Sequence, residues 1–220
     1  MKKYLLSTLA DGICVVLLSV CPILCYASAF SVKLEASVLI MAAVLFSIVF
    51  SLLSAFVKNN LKYALCMTVI AFVAFLVFVF ANERIFAQAN YAINKLLELY
   101  SVYLSVYSNI KFASYIANDA TGFFVLLSLI LNGLFSFLIS RIKSIKIAGL
   151  LSIALLVPCF VLVNTLPDLV PLLIIFTVLF ALYFSSQTRQ LNYAHSGVIT
   201  AVCAVILAVL ITVLAVINPV

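Results

Sequence analysis

Long apolar runs separated by short polar segments make up almost the entire chain. A helix needs about 20 mostly apolar residues to cross a bilayer, so the longer runs are candidate membrane spans. The sixth run is apolar over only 172–184 and reaches spanning length if it is extended back to residue 166. We predict seven spans, near residues 5–30, 36–57, 63–81, 122–140, 147–163, 166–184 and 197–217.

Residues 82–121 are the only long segment that we expect to stay outside the membrane. Apolar residues recur there with a helical period, which predicts an amphipathic helix. Half of the ten tyrosines lie in this segment, and tyrosine favours the membrane–water interface. We expect a surface-lying helix, with the alternative of a lid or docking surface for an extracytoplasmic domain or protein. Its predicted outer interfacial face consists of Ile93, Leu97, Tyr100, Leu104 and Tyr107.

These patterns predict an all-α membrane protein. Its expected form is a bundle of about seven transmembrane helices, with one extracytoplasmic amphipathic helix between helices three and four. Composition agrees, because 68% of the residues are hydrophobic and 8% are charged, whereas about a quarter are charged in soluble domains. The first run resembles a secretory signal ending at Ala27-Ser28-Ala29, but Asp11 interrupts its apolar core. We therefore favour an uncleaved first helix.

The basic residues orient the predicted helices. Eight lysines and arginines fall on one side of the seven-span topology and four on the other, and the cytoplasmic side is normally the richer one. We therefore expect a multi-pass protein of the cell membrane with a cytoplasmic N-terminus and an extracytoplasmic C-terminus. The net charge of +6 is assigned to contacts with anionic headgroups of the lipid bilayer, and no nucleic acid partner is predicted.

Three polar residues within or beside the apolar runs are candidate functional positions: Asp11, Asn132 and Asn164. An intramembrane carboxylate suggests ion or proton chemistry. However, Asp11 lies only about two turns from the predicted cytoplasmic end, where it can reach water or Lys2 and Lys3, so a structural role is favoured. For the two asparagines, hydrogen bonds between helices are the simplest interpretation.

The sequence contains no pattern that predicts catalysis. It has no Walker loop, HExxH or GxSxG motif, and His195 is its single histidine. The six cysteines lie in apolar runs without a CxxC pair, which favours a packing role over metal binding. We therefore predict that this chain is not an enzyme and has no catalytic residue, cofactor site or metal site.

The layout of the chain resembles the N-terminal membrane region of bacterial membrane-anchored transglutaminase-like proteins. The resemblance extends over essentially the whole chain, through a short basic start, three leading helices, the outer segment Asn90–Leu97, a basic turn after helix four and a Pro-containing turn at 164–167. It implies a non-catalytic anchor or scaffold. The family's papain-like extracytoplasmic domain, with its Cys-His-Asp triad, would follow the C-terminus, so no catalytic residue of the family is expected here.

A small membrane transport or solute-binding subunit is the alternative function. The size of the chain and its number of apolar runs fit the substrate-binding component of a vitamin-uptake system. A solute site would require convergent polar or aromatic side chains, and the sequence places few polar groups at mid-depth. The anchor is therefore the preferred prediction.

Overall fold

The computed structural model describes residues 2–57, 59–80, 82–104, 117–161 and 167–190. All regular structure in these residues is helical, which confirms the predicted helical class for this part of the chain. Residues 105–116, Asn164 and the predicted seventh span at 197–217 lie outside the described residues, as do Tyr107 and His195. The helices are α1 (Lys2–Ala29), α2 (Ala36–Phe56), α3 (Asn60–Phe80), α4 (Asn82–Leu104), α5 (Thr121–Ser136), α6 (Ile145–Val161) and α7 (Leu169–Gln190).

A π-helical turn, Phe137–Ile142, continues directly from α5. Helical structure therefore extends past residue 140, where the predicted fourth span ends. It includes Arg141, which belongs to the predicted basic turn. The helical structure ends at Lys143, which adopts a left-handed conformation with φ 55°. α6 then begins at Ile145 and continues through Pro158 to Val161.

Local capping explains where two other helices begin and end. The Oδ1 atom of Asn59 accepts a hydrogen bond from Leu61 N at 2.8 Å, so α3 starts three residues before its apolar run. At the end of α1, Val32 N donates to Ala27 O (2.9 Å) and Ser31 N donates to Ser28 O (3.3 Å). This is a Schellman motif, with Ser31 at the left-handed position that glycine usually occupies (φ 51°).

Hydrogen bonds in the segments that connect the helices bring several helix ends together at one side of the molecule. Ala120 N donates to Lys33 O at 3.0 Å. Glu35 N donates to Thr121 Oγ1, and Asp168 N donates to Ser28 Oγ, each at 3.0 Å. The end of α1 therefore lies beside the starts of α2, α5 and α7. We call this side the outer end, and the side that contains the π-helical turn the inner end.

α1 and α5 form the centre of the packing. Buried side chains of α1 include Leu18 and Cys25, and those of α5 include Phe124 and Phe135. α1 packs against α2, α5, α6 and α7, while α5 also contacts α2 and α4. Helices that approach α1 from several sides bury most of its surface, as expected for a helix that is apolar all round.

The peripheral helices expose apolar faces. Only 22% of the apolar stretch Ala36–Ser54 of α2 is buried inside the molecule, against 56% of Asp11–Ala29 of α1. Among the residues that the structure describes, three helical stretches are long and apolar enough to cross a membrane: Asp11–Ala29, Ala36–Ser54 and Thr121–Ile142. Shorter apolar stretches occur at Asn60–Ala74, Ile145–Phe160 and Leu169–Tyr183.

Candidate functional site

Asn132 lies in the interface between α1 and α5 and is fully buried. Its Nδ2 atom donates hydrogen bonds to Ser19 Oγ at 2.8 Å and to Ser128 O at 2.9 Å. The hydroxyls of Ser19 and Ser128 in turn donate to the carbonyls of Val16 and Val125. Asn132 Oδ1 has no hydrogen-bond partner among the described residues. The geometry joins two helices and leaves one acceptor for a small donor such as water.

The structure does not bring Asp11 to Asn132. Asp11 is half-buried in α1, eight residues before Ser19, which corresponds to about 12 Å along a helix. The neighbouring backbone carbonyl of Gly12 accepts a hydrogen bond from Ser47 Oγ of α2 at 3.0 Å. The hydrogen bond at Gly12 therefore joins α1 to α2, whereas the hydrogen bond of Asn132 joins α1 to α5.

Arg141 connects the π-helical turn to the end of α2. Its guanidinium donates hydrogen bonds to Ser54 O at 2.6 Å and to Val57 O. These carbonyls belong to the last turn of α2 and to the residue after it, where helix carbonyls lack partners within the helix. The guanidinium carbon also lies 4.9 Å from the ring centroid of Tyr63 on α3. Arg141 therefore contacts both α2 and α3 from the end of α5.

Aromatic and hydroxyl contacts hold Tyr63 beneath Arg141. The ring of Tyr63 stacks on Phe137 with centroids 5.9 Å apart and planes inclined by 9°. Its hydroxyl shares a hydrogen bond of 3.1 Å with Ser136 Oγ, and both residues are buried. In the sequence, Arg141 belongs with Lys143 and Lys146 to the basic turn predicted after helix four. Arginine is preferred over lysine at stacked and multiply hydrogen-bonded sites. The presence of an arginine among lysines was therefore the one signal in the sequence for this contact.

Gln88 attaches α4 to the outer end of α5. Its Oε1 atom accepts a hydrogen bond from Phe123 N at 3.0 Å, and its Nε2 atom donates to Asp119 Oδ1 at 3.3 Å. Phe123 N belongs to the first turn of α5, where amides lack partners within the helix. One side chain thus caps α5 and bonds the segment that precedes it. The sequence alone did not indicate Gln88, because a glutamine in an amphipathic helix has no distinctive spacing.

The packing of α4 distinguishes two adjacent apolar faces. Ala92 is buried, and Tyr91, Leu96 and Leu99 pack against the core. Of the predicted interfacial face, Ile93 is 38% exposed and Leu97 and Tyr100 are half-buried. Leu104 is the last residue of α4. The described part of the predicted face, Ile93, Leu97 and Tyr100, therefore lies beside the packed face and leaves some apolar surface uncovered.

A salt bridge lies on the outer surface of α4. Lys95 Nζ is 2.9 Å from Glu98 Oε2, one helical turn away. The hydrogen bond to Glu98 raises the pKa of Lys95 above its ordinary value of 10.5. Any stability from this pair is therefore fully present at neutral pH and is lost only as the pH rises through that raised pKa. Because both groups are solvent-accessible, the contribution is small.

A cavity of about 720 Å³ opens at the outer end between the turn after α1 and the start of α7. Its volume lies in the range of small-molecule sites. Lys33 and Asp168 both line it, and no ion pair joins these two residues in the described part of the chain. Its apolar wall consists of Leu24, Ala27, Val32, Leu34, Ala36, Leu169, Val170 and Pro171.

No family model, curated protein or solved structure matches this chain. Within the described ranges, no three His, Cys, Asp or Glu side chains are grouped so that they could hold a metal ion. Three features of the chain's own geometry bear on function: the buried contacts between helices, the attachment of α4 and the outer cavity.

Proposed function

We propose that the chain is a multi-pass helical protein of the cell membrane and acts as a non-catalytic anchor or scaffold. The observation that carries this proposal is the apolar exposed surface of its peripheral helices. On α2 alone, Met41, Leu45, Val49 and Leu52 are each more than half exposed. Soluble monomers rarely expose contiguous apolar patches larger than a few hundred Å², whereas a bilayer covers such a surface without cost.

The charge distribution supports an inner end facing the cytoplasm. Lys62, Arg141 and Lys143 lie near the inner end, whereas Glu35, Asp119 and Asp168 lie near the outer end. Basic residues are favoured on the cytoplasmic side. On this proposal α4 lies at the extracytoplasmic surface, and the N-terminus starts inside.

The scaffold would present α4 to an extracytoplasmic domain or protein. Gln88 fixes this helix on α5, and Phe86 and Ile93 remain substantially exposed. The resemblance to the membrane region of transglutaminase-like proteins makes a catalytic extracytoplasmic domain the proposed partner. The buried polar contacts fit a structural role, because Asn132 and Arg141 each bind groups on neighbouring helices.

Membrane insertion and orientation are tested with two matched cysteine substitutions. Asn118→Cys places a thiol on the exposed outer segment, and Asn60→Cys places one at the exposed start of α3 on the inner end. In intact cells, an impermeant maleimide should label N118C, whereas N60C should react only after permeabilisation. The unsubstituted chain measures the background from its native cysteines. Labelling of both variants in intact cells, or release of the chain by alkaline carbonate, would contradict the proposal.

The alternative function, a small solute-binding or transport subunit, is favoured by the outer cavity. The two functions differ in what the polar residues should do. A scaffold predicts that Asp11→Asn and Asn132→Ala alter stability and leave solute binding unchanged. A transport subunit predicts that one of them abolishes binding or uptake while the chain still folds.

A further inference from the structure

We infer that the outer cavity binds a zwitterionic group, one that carries an ammonium and an anion on the same molecule. The inference goes beyond the anchor function and deepens the solute-binding alternative. It starts from two opposite charges, Lys33 and Asp168, which line the same cavity without an ion pair between them in the described residues. Each charge is therefore available to a ligand.

Hydrogen bonds between elements fix the backbone of both charged residues. Asp168 N donates to Ser28 Oγ at 3.0 Å, which ties the start of α7 to α1. Lys33 O accepts from Ala120 N at 3.0 Å, which ties the turn after α1 to the start of α5. Neither charged residue is therefore carried by a freely moving loop. Such preorganisation lowers the entropy that binding costs.

The charges define the polarity of the ligand. A ligand ammonium would donate to the Asp168 carboxylate, and a phosphate or carboxylate would accept from the Lys33 ammonium. Both are charge-assisted hydrogen bonds, which are stronger than neutral ones. A ligand with one charge pairs with only one of these two residues and leaves the other residue without a counterion. The pair therefore selects zwitterions over simple anions or amines.

The apolar wall adds a second element of recognition. Leu24 and Ala27 line the cavity from α1, and Val170 and Pro171 line it from α7. An apolar chain attached to the zwitterion would cover this wall and remove it from water. Two sources offer this chemistry: a phosphoethanolamine headgroup of a lipid in the outer leaflet, and a free zwitterionic solute.

The sample for the test is the purified 220-residue chain in detergent micelles. The probe is lysophosphatidylethanolamine, which carries the zwitterion and an acyl chain, and native mass spectrometry measures its binding. Lysophosphatidylglycerol carries the anion without the ammonium, and dodecylammonium carries the ammonium without the anion. We expect each of them to bind at least tenfold more weakly than the zwitterion. Equal binding of either would overturn the inference.

Substitutions then locate the site. Lys33→Gln and Asp168→Asn should each weaken binding of the zwitterion at least tenfold. The charge exchange Lys33→Asp with Asp168→Lys should restore affinity to within a few fold, since a zwitterion binds in the reverse direction. The matched controls Lys62→Gln and Glu98→Gln remove exposed charges elsewhere and should have no effect. Unchanged affinity in the single variants would overturn the inference.

The source of the ligand is decided by glycerophosphoethanolamine, which has the same headgroup and no acyl chain. Binding comparable to that of the lysolipid identifies a free solute, and binding only of the lysolipid identifies a membrane lipid. Ala36→Phe, at an exposed position of the cavity wall, should block both without lowering thermal stability. Resistance to alkaline carbonate is measured on every variant, so that a failure of membrane insertion is distinguished from a failure of this site.

Discussion

At the scale of single residues, conformation and burial place the strongest constraints at a few positions. Ser31 adopts a positive φ that L residues rarely adopt, in the turn that leads from α1 to α2. Asn132 is fully buried and forms a side-chain hydrogen bond that joins α5 to α1. Ser31 should therefore accept glycine readily, whereas a shorter side chain at Asn132 should destabilise the protein.

Ser31→Gly should stabilise the protein by about 0.5–1 kcal/mol, because glycine adopts the left-handed conformation without a Cβ penalty. Ser37→Gly is the matched control. Ser37 is exposed in the first turn of α2, where the same substitution should destabilise by up to about 1 kcal/mol. Thermal unfolding in detergent micelles measures both. If both variants shift in the same direction, the backbone argument at Ser31 is wrong.

Asn132→Ala should destabilise the protein by about 1–2 kcal/mol. The variant loses a hydrogen bond between helices, worth about 0.6–1.7 kcal/mol in a membrane protein, and leaves a small void. Asn118→Ala, in the exposed segment before α5, should change stability by less than about 0.5 kcal/mol. Unfolding in sodium dodecyl sulfate titrations compares the two. Equal losses would show that the contact with Ser19 contributes little.

At the scale of helices, the apolar runs predicted most elements because spanning helices need long uninterrupted apolar sequence. α2 matches its predicted run almost residue by residue. Run length could not predict that helical structure continues beyond residue 140. This extension depends on contacts of Arg141 with carbonyls of α2 and with the ring of Tyr63, which are distant in sequence. The sequence could not predict the attachment of α4 either, because Gln88 forms hydrogen bonds with residues more than 30 positions away.

Gln88→Ala should release α4 from the outer end of α5. The variant leaves Phe123 N without its acceptor and removes the bond to Asp119, so α4 should open more often. Amide hydrogen exchange should become faster across α4 while α1 and α2 keep their protection. Lys95→Gln removes only the surface salt bridge of the same helix and should leave exchange unchanged. Unaltered exchange in Q88A would mean that apolar packing alone holds α4.

At the scale of the whole molecule, the distribution of apolar surface fits a membrane environment. The packed centre lies between α1 and α5, while the exposed faces of the peripheral helices are largely apolar. The sequence predicted this environment from composition and run length. The cavity could not be predicted, because its lining comes from segments that meet only after α1, α5 and α7 have packed.

Leu45→Lys tests this environment. Leu45 lies near the middle of α2 and is 62% exposed, so water would accept a lysine there with little change. In a bilayer the charge should cost about 2.5–3.5 kcal/mol on insertion scales. We expect a smaller carbonate-resistant fraction than for the native chain. Leu61→Lys, exposed at the inner end of α3, should insert normally because lysine can extend to the interface.

The π-helical turn bears on how this chain tolerates changes in length. A turn closed by i→i+5 hydrogen bonds holds one more residue than an α-helical turn. Deleting Ser140 would remove that surplus residue, so the turn could become α-helical. Arg141 would still point toward α2. A deletion before Asn132 within α5 would instead rotate Asn132 by about 100° relative to Ser19. Evolution could therefore shorten this region by one residue at the turn, but not within the helix that precedes it.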